Sequence, residues 1–227
     1  MINILLKDKH ILALEKPCGV LCEASQTEDE SILTIASAQE NIPELFPIHR
    51  LDRNVSGLLL VAKNKAAAGK FSAMISERSV GKEYLAVVHG KPSEQSGIYK
   101  DLLFKDSSSG KSYVTDRMRK GVKDASLEYR VLASRNSEDG ELSLVRIKLH
   151  TGRTHQIRVH MAFIGHPVAG DPVYGPKKVI TELGGQCLHA RKIGFIHPKT
   201  KQYMEFTSDL PEYFTAFLER NFSNGDF

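Results

Sequence analysis

One carboxylate in this sequence lies among arginines, directly before a strongly apolar run. Asp52 belongs to His49–Gly57 (HRLDRNVSG), and Leu58–Ala62 follows without a polar residue. A continuous apolar run of this length is typical of a strand buried on both faces, which places Asp52 at the mouth of a core strand. An aspartate near arginines stays ionised and can act as a nucleophile at a sugar carbon. The alternative is that Asp52 caps a turn and pairs with Arg50 or Arg53 on the surface.

A second group of polar side chains lies in the segment LHTGRTHQIRVHMAFIGHP, residues 149–167. Thr154 is a suitable helix cap and Gly165 a suitable helix end, with an apolar stripe between them formed by Ile157, Met161 and Ile164. Arg158 lies at the edge of this stripe, where a guanidinium can reach a partly buried carboxylate with two hydrogen bonds. Arg153 lies on the preceding turn, where N–H groups favour phosphate. The alternative for both arginines is ordinary surface salt bridging.

Three further sets of residues contain side chains that could take part in chemistry: Tyr84, a series of histidines and Asp171. The segment Lys82–Gly90 (KEYLAVVHG) predicts a strand whose Tyr84 could face a site, although a core tyrosine with a wet hydroxyl is the commoner case. His150, His155 and His160 are each five residues apart, so successive positions on a helix are rotated by about 140° and do not share a face. We therefore predict no metal site. Asp171, in GDPVYGP, is expected to form a turn rather than to act as an acid.

Composition limits the class of protein. The 227 residues are 41% hydrophobic, with a formal net charge of +4 and a sequence pI near 8.9, so the basic excess is mild and does not by itself indicate nucleic-acid binding. Three cysteines without zinc or redox spacing indicate reduced thiols. The short apolar start at Met1–Leu6 is followed by a lysine and does not predict a signal peptide or a membrane span. We expect a cytoplasmic protein, and a monomer.

The order of short apolar runs and turns predicts an α+β fold with a mixed, largely antiparallel sheet, formed as one domain over residues 1–227. Asn64 is expected to cap a helix, and another helix is expected to start at Asp209 or Pro211 and to do no chemistry. A strand pair is expected over Ser126–Leu132 and Leu142–His150, with a basic outer face. The region between residues 97 and 130 contains many lysines and arginines, and its SSSG segment is expected to be a flexible tip.

Four motifs together resemble the RluA family of RNA pseudouridine synthases, and they occur in that family's order over most of the chain. They are HRLD with SGLL (49–52 and 56–59), KEYLAVVHG (82–90), TGRTHQIRVH with GD and YG (151–160, 170–171 and 174–175), and LHA with HP (188–190 and 197–198). The family usually has threonine where this chain has Val55. That difference removes a hydroxyl and leaves the aspartate in place.

The resemblance implies roles for individual residues. Asp52 corresponds to the catalytic aspartate, Tyr84 to the tyrosine that stacks on the target base, and Arg158 to the partner that holds the Asp52 carboxylate. Arg50 corresponds to an arginine that in some relatives enters the RNA stack where the target base leaves. Two roles are open for Arg153, which could hold phosphate or share the pairing assigned to Arg158. The residues expected to bind RNA are Arg50, Arg53, Arg153 and His155.

The resemblance also implies the conversion of uridine to pseudouridine in transfer or ribosomal RNA, without cofactor or metal. The amino-terminal S4 module that many relatives carry is not expected here, so RNA selection should depend on basic surfaces between Lys105 and Lys123 and around Arg146 and Lys148. One alternative is a catalytically silent RNA-binding or chaperone protein on the same fold. Another is a glycosidase or nucleosidase, which is disfavoured because no second carboxylate accompanies Asp52 in its motif.

Overall fold

The computed structural model describes residues 1–25, 27, 30–176 and 183–223. Over these residues the strands are β1 (Ile4–Lys7), β2 (Ile11–Lys16), β3 (Phe46–Pro47), β4 (Ser56–Ala62), β5 (Gly81–His89), β6 (Ser96–Lys105), β7 (Ser112–Thr115), β8 (Val122–Ser137), β9 (Gly140–Leu149), β10 (Leu188–Ile196) and β11 (Tyr203–Thr207). The helices are α1 (Ile32–Glu40), α2 (Lys65–Ser76), α3 (Gln156–Phe163) and α4 (Glu212–Asn221). The predicted fold class, a largely antiparallel sheet with helices, is confirmed.

Two compact units make up the chain. The first contains Met1–Lys82 and Ala190–Leu210, and the second contains Glu83–His189 and Pro211–Phe227. The expectation of one domain over residues 1–227 stays a prediction. Among the described residues, no helix has the length and apolar character needed to cross a bilayer.

In the first unit, the strand order is β1-β2-β4-β10, with β3 paired to β4 and β11 paired to β10. Strands β2 and β4 are antiparallel, from Ile11 opposite Ala62 to Lys16 opposite Gly57. Every residue of β4 is buried, which confirms the strand predicted from the apolar run Leu58–Ala62 within it. Helix α2 follows at once, capped as predicted by the Asn64 side chain, and its buried Phe71 packs in the core formed with β2 and β4.

In the second unit, the strand order is β5-β9-β8-β6-β7. Strand β8 is 16 residues long and pairs antiparallel with both β9 and β6. In β9 the apolar residues are buried while Arg146 and Lys148 are exposed, which confirms the predicted basic outer face. Helix α4 begins after Pro211 and buries Phe214, Phe217 and Leu218, as the sequence predicts.

Three predictions of local structure are corrected. The polar stretch from residue 96 contains a ten-residue strand, β6, that sequence patterning missed because its side chains, apart from the buried Leu103, are exposed or only partly buried. The strand predicted over Ser126–Leu132 extends in both directions to become β8. The prediction that Thr154 caps α3 was wrong, because His155 occupies the N-cap position in a left-handed conformation (φ 55°) without a side-chain cap.

Candidate active site

The loop that carries Asp52 is held to the segment after β2 through its backbone. The Cys22 thiol and the Leu51 backbone are joined in both directions at 3.2 Å, with the Leu51 N–H donating to sulfur and the thiol donating to the Leu51 carbonyl. The Gly19 N–H donates to the Arg53 carbonyl at 2.9 Å. Asp52 itself is half-buried. The carboxylate therefore lies on a loop whose backbone is fixed on either side while its own side chain is accessible.

Lys16, which sequence reasoning missed, lies beneath this loop. The side chain is 1% exposed, and its ammonium donates to the carbonyls of Pro17 (2.8 Å), Val20 (2.7 Å) and Arg53 (3.0 Å). Burial lowers the pKa of Lys16 to about 8, and the nearby Asp52 is among the charges that oppose this effect. The available signal in the sequence was a lysine that ends an apolar strand just before a proline.

His49 fixes the other side of the same loop. Its Nε2 accepts a hydrogen bond from the Leu60 N–H at 3.2 Å, which attaches the start of the motif to the middle of β4. Burial lowers the pKa of His49 to about 3, and the charge of Lys82 acts in the same direction. The imidazole is therefore neutral at physiological pH, which suits a positioning role and not a proton-transfer role.

The two arginines beside Asp52 in sequence are exposed. Arg50 lies with its Nη1 3.5 Å from a Glu23 carboxylate oxygen, and its side chain is 74% exposed. Arg53 donates from Nε to the Gly19 carbonyl at 2.9 Å. A weak ion pair at this exposure contributes little to stability, so the Arg50 guanidinium can be redirected toward a ligand at small cost.

In the second unit, Arg158 on α3 forms a buried ion pair with Asp171. Its Nε and Nη2 donate to the two carboxylate oxygens at 2.7 and 2.9 Å. Asp171 also accepts from the N–H groups of Val173 and Tyr174, which confirms its predicted turn-forming role. Burial by itself would raise the pKa of Asp171. The Arg158 guanidinium and these N–H groups together outweigh that effect, so the pKa of Asp171 lies below its usual value. The predicted bidentate pairing therefore exists, with a carboxylate that sequence analysis had treated only as a turn former.

The turn before α3 is fixed by the side chain of Gln156. Its oxygen accepts from the Thr151 hydroxyl at 2.7 Å and from the Arg153 N–H at 3.0 Å, and its amide nitrogen donates to the Ser126 carbonyl. The Arg153 Nε donates to the Asp124 carbonyl at 2.7 Å. Arg153 therefore has a defined position on the turn where the sequence predicted it.

His155 is tied to the loop that Asp171 forms. Its Nδ1 lies 3.0 Å from the Tyr174 hydroxyl, and that hydroxyl accepts from the Ser112 N–H at 2.7 Å. The Tyr174 ring in turn lies 5.2 Å from the Arg158 guanidinium carbon, in a cation–π arrangement. His155, Arg158 and Tyr174 thus form one connected network.

Tyr84 lies on β5, where its side chain is 6% exposed. This burial fits both of the roles considered from the sequence, a stacking residue in a site and a core tyrosine. Its assignment stays a prediction.

Comparison with known proteins decides the family. The model of the RNA pseudouridylate synthase family matches residues 10–163, which include Asp52, Tyr84 and Arg158. An uncharacterized RNA pseudouridine synthase, YlyB of Bacillus subtilis (strain 168), is 35% identical over 99% of this chain and 74% of its own length. The chain belongs to the RNA pseudouridylate synthase family. It is an RNA pseudouridine synthase, an isomerase of the RluA type, as the motifs had indicated.

The chain is also similar to other RNA pseudouridine synthases, in sequence and in structure. A ribosomal large subunit pseudouridine synthase D of Pseudomonas aeruginosa is 35% identical, over 96% of this chain and 71% of its own length. Among solved structures, human RNA pseudouridylate synthase domain containing 1 superposes with a TM-score of 0.76 at 27% identity, covering 93% of this chain and 84% of the human chain. Because the chain belongs to a family of RNA pseudouridine synthases, this activity is favoured over the two alternatives, a catalytically silent RNA-binding protein and a nucleosidase.

Proposed function

We propose that this pseudouridine synthase modifies one or more specific uridines in structured RNA, with Asp52 as its catalytic carboxylate. The observation that carries this proposal is the structure of the Asp52 loop. Hydrogen bonds fix the backbone of this loop, the Asp52 carboxylate is half-exposed, and the loop leads directly into the fully buried strand β4. Transfer and ribosomal RNA are both candidates. The relatives named for the large ribosomal subunit support testing ribosomal RNA first. We expect the enzyme to act as a cytoplasmic monomer.

The other proposed roles follow the family motifs. Tyr84 stacks on the target base, and Arg158 holds the Asp52 carboxylate while its Nε and Nη2 remain with Asp171. Exposed Arg50 fills the space that the target base leaves, which offsets part of the unstacking cost of a few kcal/mol. Arg53, Arg153 and His155 contact RNA. For Arg153, the fixed position of its Nε on a carbonyl favours a phosphate contact over a share in holding Asp52.

The reaction rearranges bonds within one nucleotide. The glycosidic bond from N1 to the sugar breaks, the uracil rotates, and a bond from C5 to the same sugar carbon forms. The C5 proton is lost and N1 gains a proton, so atoms and charge balance without an oxidant or cofactor. Asp52 can assist by attack on the sugar, by removing a proton or by adding to the base. Each route needs an ionised carboxylate in a fixed position within a water-poor site.

The test is pseudouridine mapping of total RNA from cells with and without this gene, by carbodiimide labelling and primer extension. The strain that lacks the gene is complemented with the wild type or with Asp52→Asn. We expect one or a few positions to lose their signal and to recover it with the wild type alone. Recovery with Asp52→Asn would remove the aspartate from the mechanism, and no change at any position would contradict the proposed substrate class.

A further inference from the structure

The net positive charge of the chain is concentrated in one short segment of the second unit. Residues 104–123, from the end of β6 through β7 to the start of β8, contain six of the 31 basic residues and two of the 27 acidic ones. The resulting net charge of +4 equals that of the whole chain, so the remaining residues together are balanced. The mild overall excess therefore comes from one local cluster, and we call residues 104–123 the β7 surface.

The cations of the β7 surface are not compensated by carboxylates. None of them forms an ion pair with a residue in the described part of the chain, whereas Lys7 and Lys192 elsewhere have carboxylate oxygens at 2.5 and 2.8 Å. Uncompensated positive charge of this density favours an anionic partner. The six cations are Lys105, Lys111, Arg117, Arg119, Lys120 and Lys123, of which Lys111 is half-buried and the others are exposed.

The two acidic residues of the β7 surface leave this excess in place. Asp106 accepts hydrogen bonds from the Ser109 hydroxyl and from the hydroxyl and N–H of Ser108, and these bonds lower its pKa to about 2. Its carboxylate is therefore turned into the SSSG tip. Asp116 is exposed and is followed directly by Arg117 in the sequence.

Aromatic side chains lie among these cations on one face of the sheet. Tyr113 on β7 is directly opposite Phe104 on β6, and opposite residues of antiparallel strands have side chains on the same face. The guanidinium carbon of Arg119 lies over the Phe104 ring, 4.6 Å from its centre. Tyr113 is 46% exposed. The Tyr113 ring and the Arg119 guanidinium are therefore two accessible planar groups of the kind on which nucleic-acid bases stack.

Strand β7 is anchored to the start of α3 by hydrogen bonds and packing. The Ser112 N–H donates to the Tyr174 hydroxyl at 2.7 Å, and the Ser112 hydroxyl donates to the Thr154 carbonyl at 2.8 Å. Val114 packs in a small core cluster with Val159 of α3. Because this strand is already held in place, a ligand that binds to the β7 surface does not have to order its backbone.

We propose that the β7 surface binds unpaired nucleotides of the RNA substrate, with a base stacked on Tyr113 and phosphates paired with the exposed lysines and arginines. The inference rests on RNA being the substrate and deepens the proposed function by naming the kind of nucleotide that is bound outside the reacting uridine. Stacking on a side chain requires a base that is free of its pair. An acidic peptide would satisfy the charges alone, whereas an unpaired nucleotide uses the charges and the exposed ring together.

The first arm measures binding without turnover, in the Asp52→Asn background. The probes are a fluorescently labelled single-stranded oligoribonucleotide of about ten nucleotides and a blunt RNA duplex of the same sequence, both followed by anisotropy. We expect Tyr113→Leu to weaken binding of the single strand about five- to tenfold and binding of the duplex by less than about twofold, with an unchanged salt dependence. Tyr113→Phe should restore binding, because the ring and not the hydroxyl supplies the stacking.

Tyr203→Leu is the matched control for the aromatic side chain. Tyr203 is a strand tyrosine in the first unit and is 66% exposed, and its loss should leave the binding of both probes unchanged. If Tyr113→Leu binds the single strand as well as this control does, or weakens both probes equally, the stacking assignment is wrong. Thermal unfolding checks that each variant folds, as expected for exposed side chains.

The charges are tested separately from the ring. Arg117→Gln/Lys120→Gln removes two exposed cations of the β7 surface, and we expect weaker binding of both probes and a slope of log K against log salt reduced by about one. Lys9→Gln/Lys70→Gln removes two exposed cations of the first unit and should leave the slope unchanged. Equal slopes in the two double variants would indicate a partner other than RNA for the β7 surface, such as an acidic protein, and would overturn the proposal.

The second arm uses a transcript that contains the mapped uridine. We expect Tyr113→Leu to raise KM about five- to tenfold and to leave kcat within about twofold, because a contact made equally before and during the reaction affects binding alone. An unchanged KM would mean that the β7 surface does not contact the substrate. Failure to map any pseudouridine would contradict the proposed function, whereas the first arm would still decide whether the β7 surface binds unpaired RNA.

Discussion

The Asp52 loop and the Arg158 network fix their functional side chains by different means. The Asp52 loop is held mainly through backbone carbonyls and N–H groups, with Lys16 as the buried cation beneath it. The Arg158 network consists of charged and polar side chains bonded to one another inside the second unit. A backbone-held loop tolerates changes in the side chain it presents, whereas a buried ion pair does not tolerate the loss of one partner.

The largest effect should follow removal of the Asp52 charge. We expect Asp52→Asn to reduce single-turnover pseudouridine formation by at least about 10⁴-fold, equivalent to about 5.4 kcal/mol of transition-state stabilisation. The free energy of unfolding should change by less than about 0.5 kcal/mol, because the side chain is half-exposed. Rates on a mapped transcript and urea unfolding test both expectations. A large loss of stability would mean that the loop depends on this side chain.

Loss of the Asp171 charge should lower the free energy of unfolding strongly, whereas loss of the Asp52 charge should hardly change it. Asp171→Asn keeps the turn but leaves Arg158 buried without its counter-ion, and we expect a loss of about 3–5 kcal/mol in unfolding free energy. The double variant Arg158→Met/Asp171→Asn should lose less than the single one, because no unpaired charge is left. Equal losses in both would show that the turn, rather than the charge, determines the stability of this region.

Lys16 should affect both properties. Lys16→Met removes the donor that three carbonyls share, although the Arg53 carbonyl keeps its hydrogen bond from the Gly19 N–H, and we expect a loss of about 2–4 kcal/mol in unfolding free energy. Without this ammonium the Asp52 loop should shift, and we expect the rate of pseudouridine formation to fall by about 10²-fold. The matched control is Lys7→Met on β1, because the Lys7 side chain is 54% exposed and the loss of its ion pair with Glu40 should lower the unfolding free energy by less than about 1 kcal/mol. If the two variants behave alike, the ammonium does not support the Asp52 loop.

Acid should weaken the Arg158 network selectively. The pKa of Asp171 is lowered from 3.8 in the folded state, so its contribution to stability is fully present above that value and is lost as pH falls through the folded pKa. The difference in unfolding free energy between the wild type and Asp171→Asn should therefore be constant from pH 7 to about 5 and shrink below pH 4. Urea unfolding at several pH values measures it, and a constant difference down to pH 2 would contradict the lowered pKa.

The smallest effect is expected at Arg50. Arg50→Gln should leave unfolding free energy within about 0.5 kcal/mol, because its ion pair with Glu23 is long and exposed. RNA affinity should fall only a few-fold, whereas the rate after binding should fall further if Arg50 fills the vacated stack. An unchanged rate after binding would leave Arg50 as a simple phosphate contact.

Sequence reasoning succeeded where a local pattern determines the structure. The continuous apolar run of β4, the alternation in β9 and the Asn64 cap of α2 were all predicted from neighbouring residues. It failed where a structure depends on distant partners. Strand β6 has no strongly buried face, so its strand state comes from pairing with β8 and β7.

The same limit applies to the site. The bidentate pairing of Arg158 was predicted from its place on a helix, but its partner Asp171 is 13 residues away and lies on a turn whose path cannot be derived from periodicity. Lys16 contacts the Arg53 carbonyl, 37 residues away. The catalytic role of Asp52 is a prediction from motif resemblance, and the Asp52→Asn variant is its direct test.

The close approach of Gly57 to Ala190 has a consequence for how the enzyme is made. A Cβ at position 57 would lie 2.4 Å from the Ala190 carbonyl oxygen, so β4 is completed only when it meets a residue 133 positions later in the chain. At about 5–20 residues per second, a ribosome needs roughly 7–27 s to cover that distance. The nascent chain therefore presents the Asp52 motif well before the first unit can close around it, and a new copy cannot act on RNA until synthesis has passed Ala190.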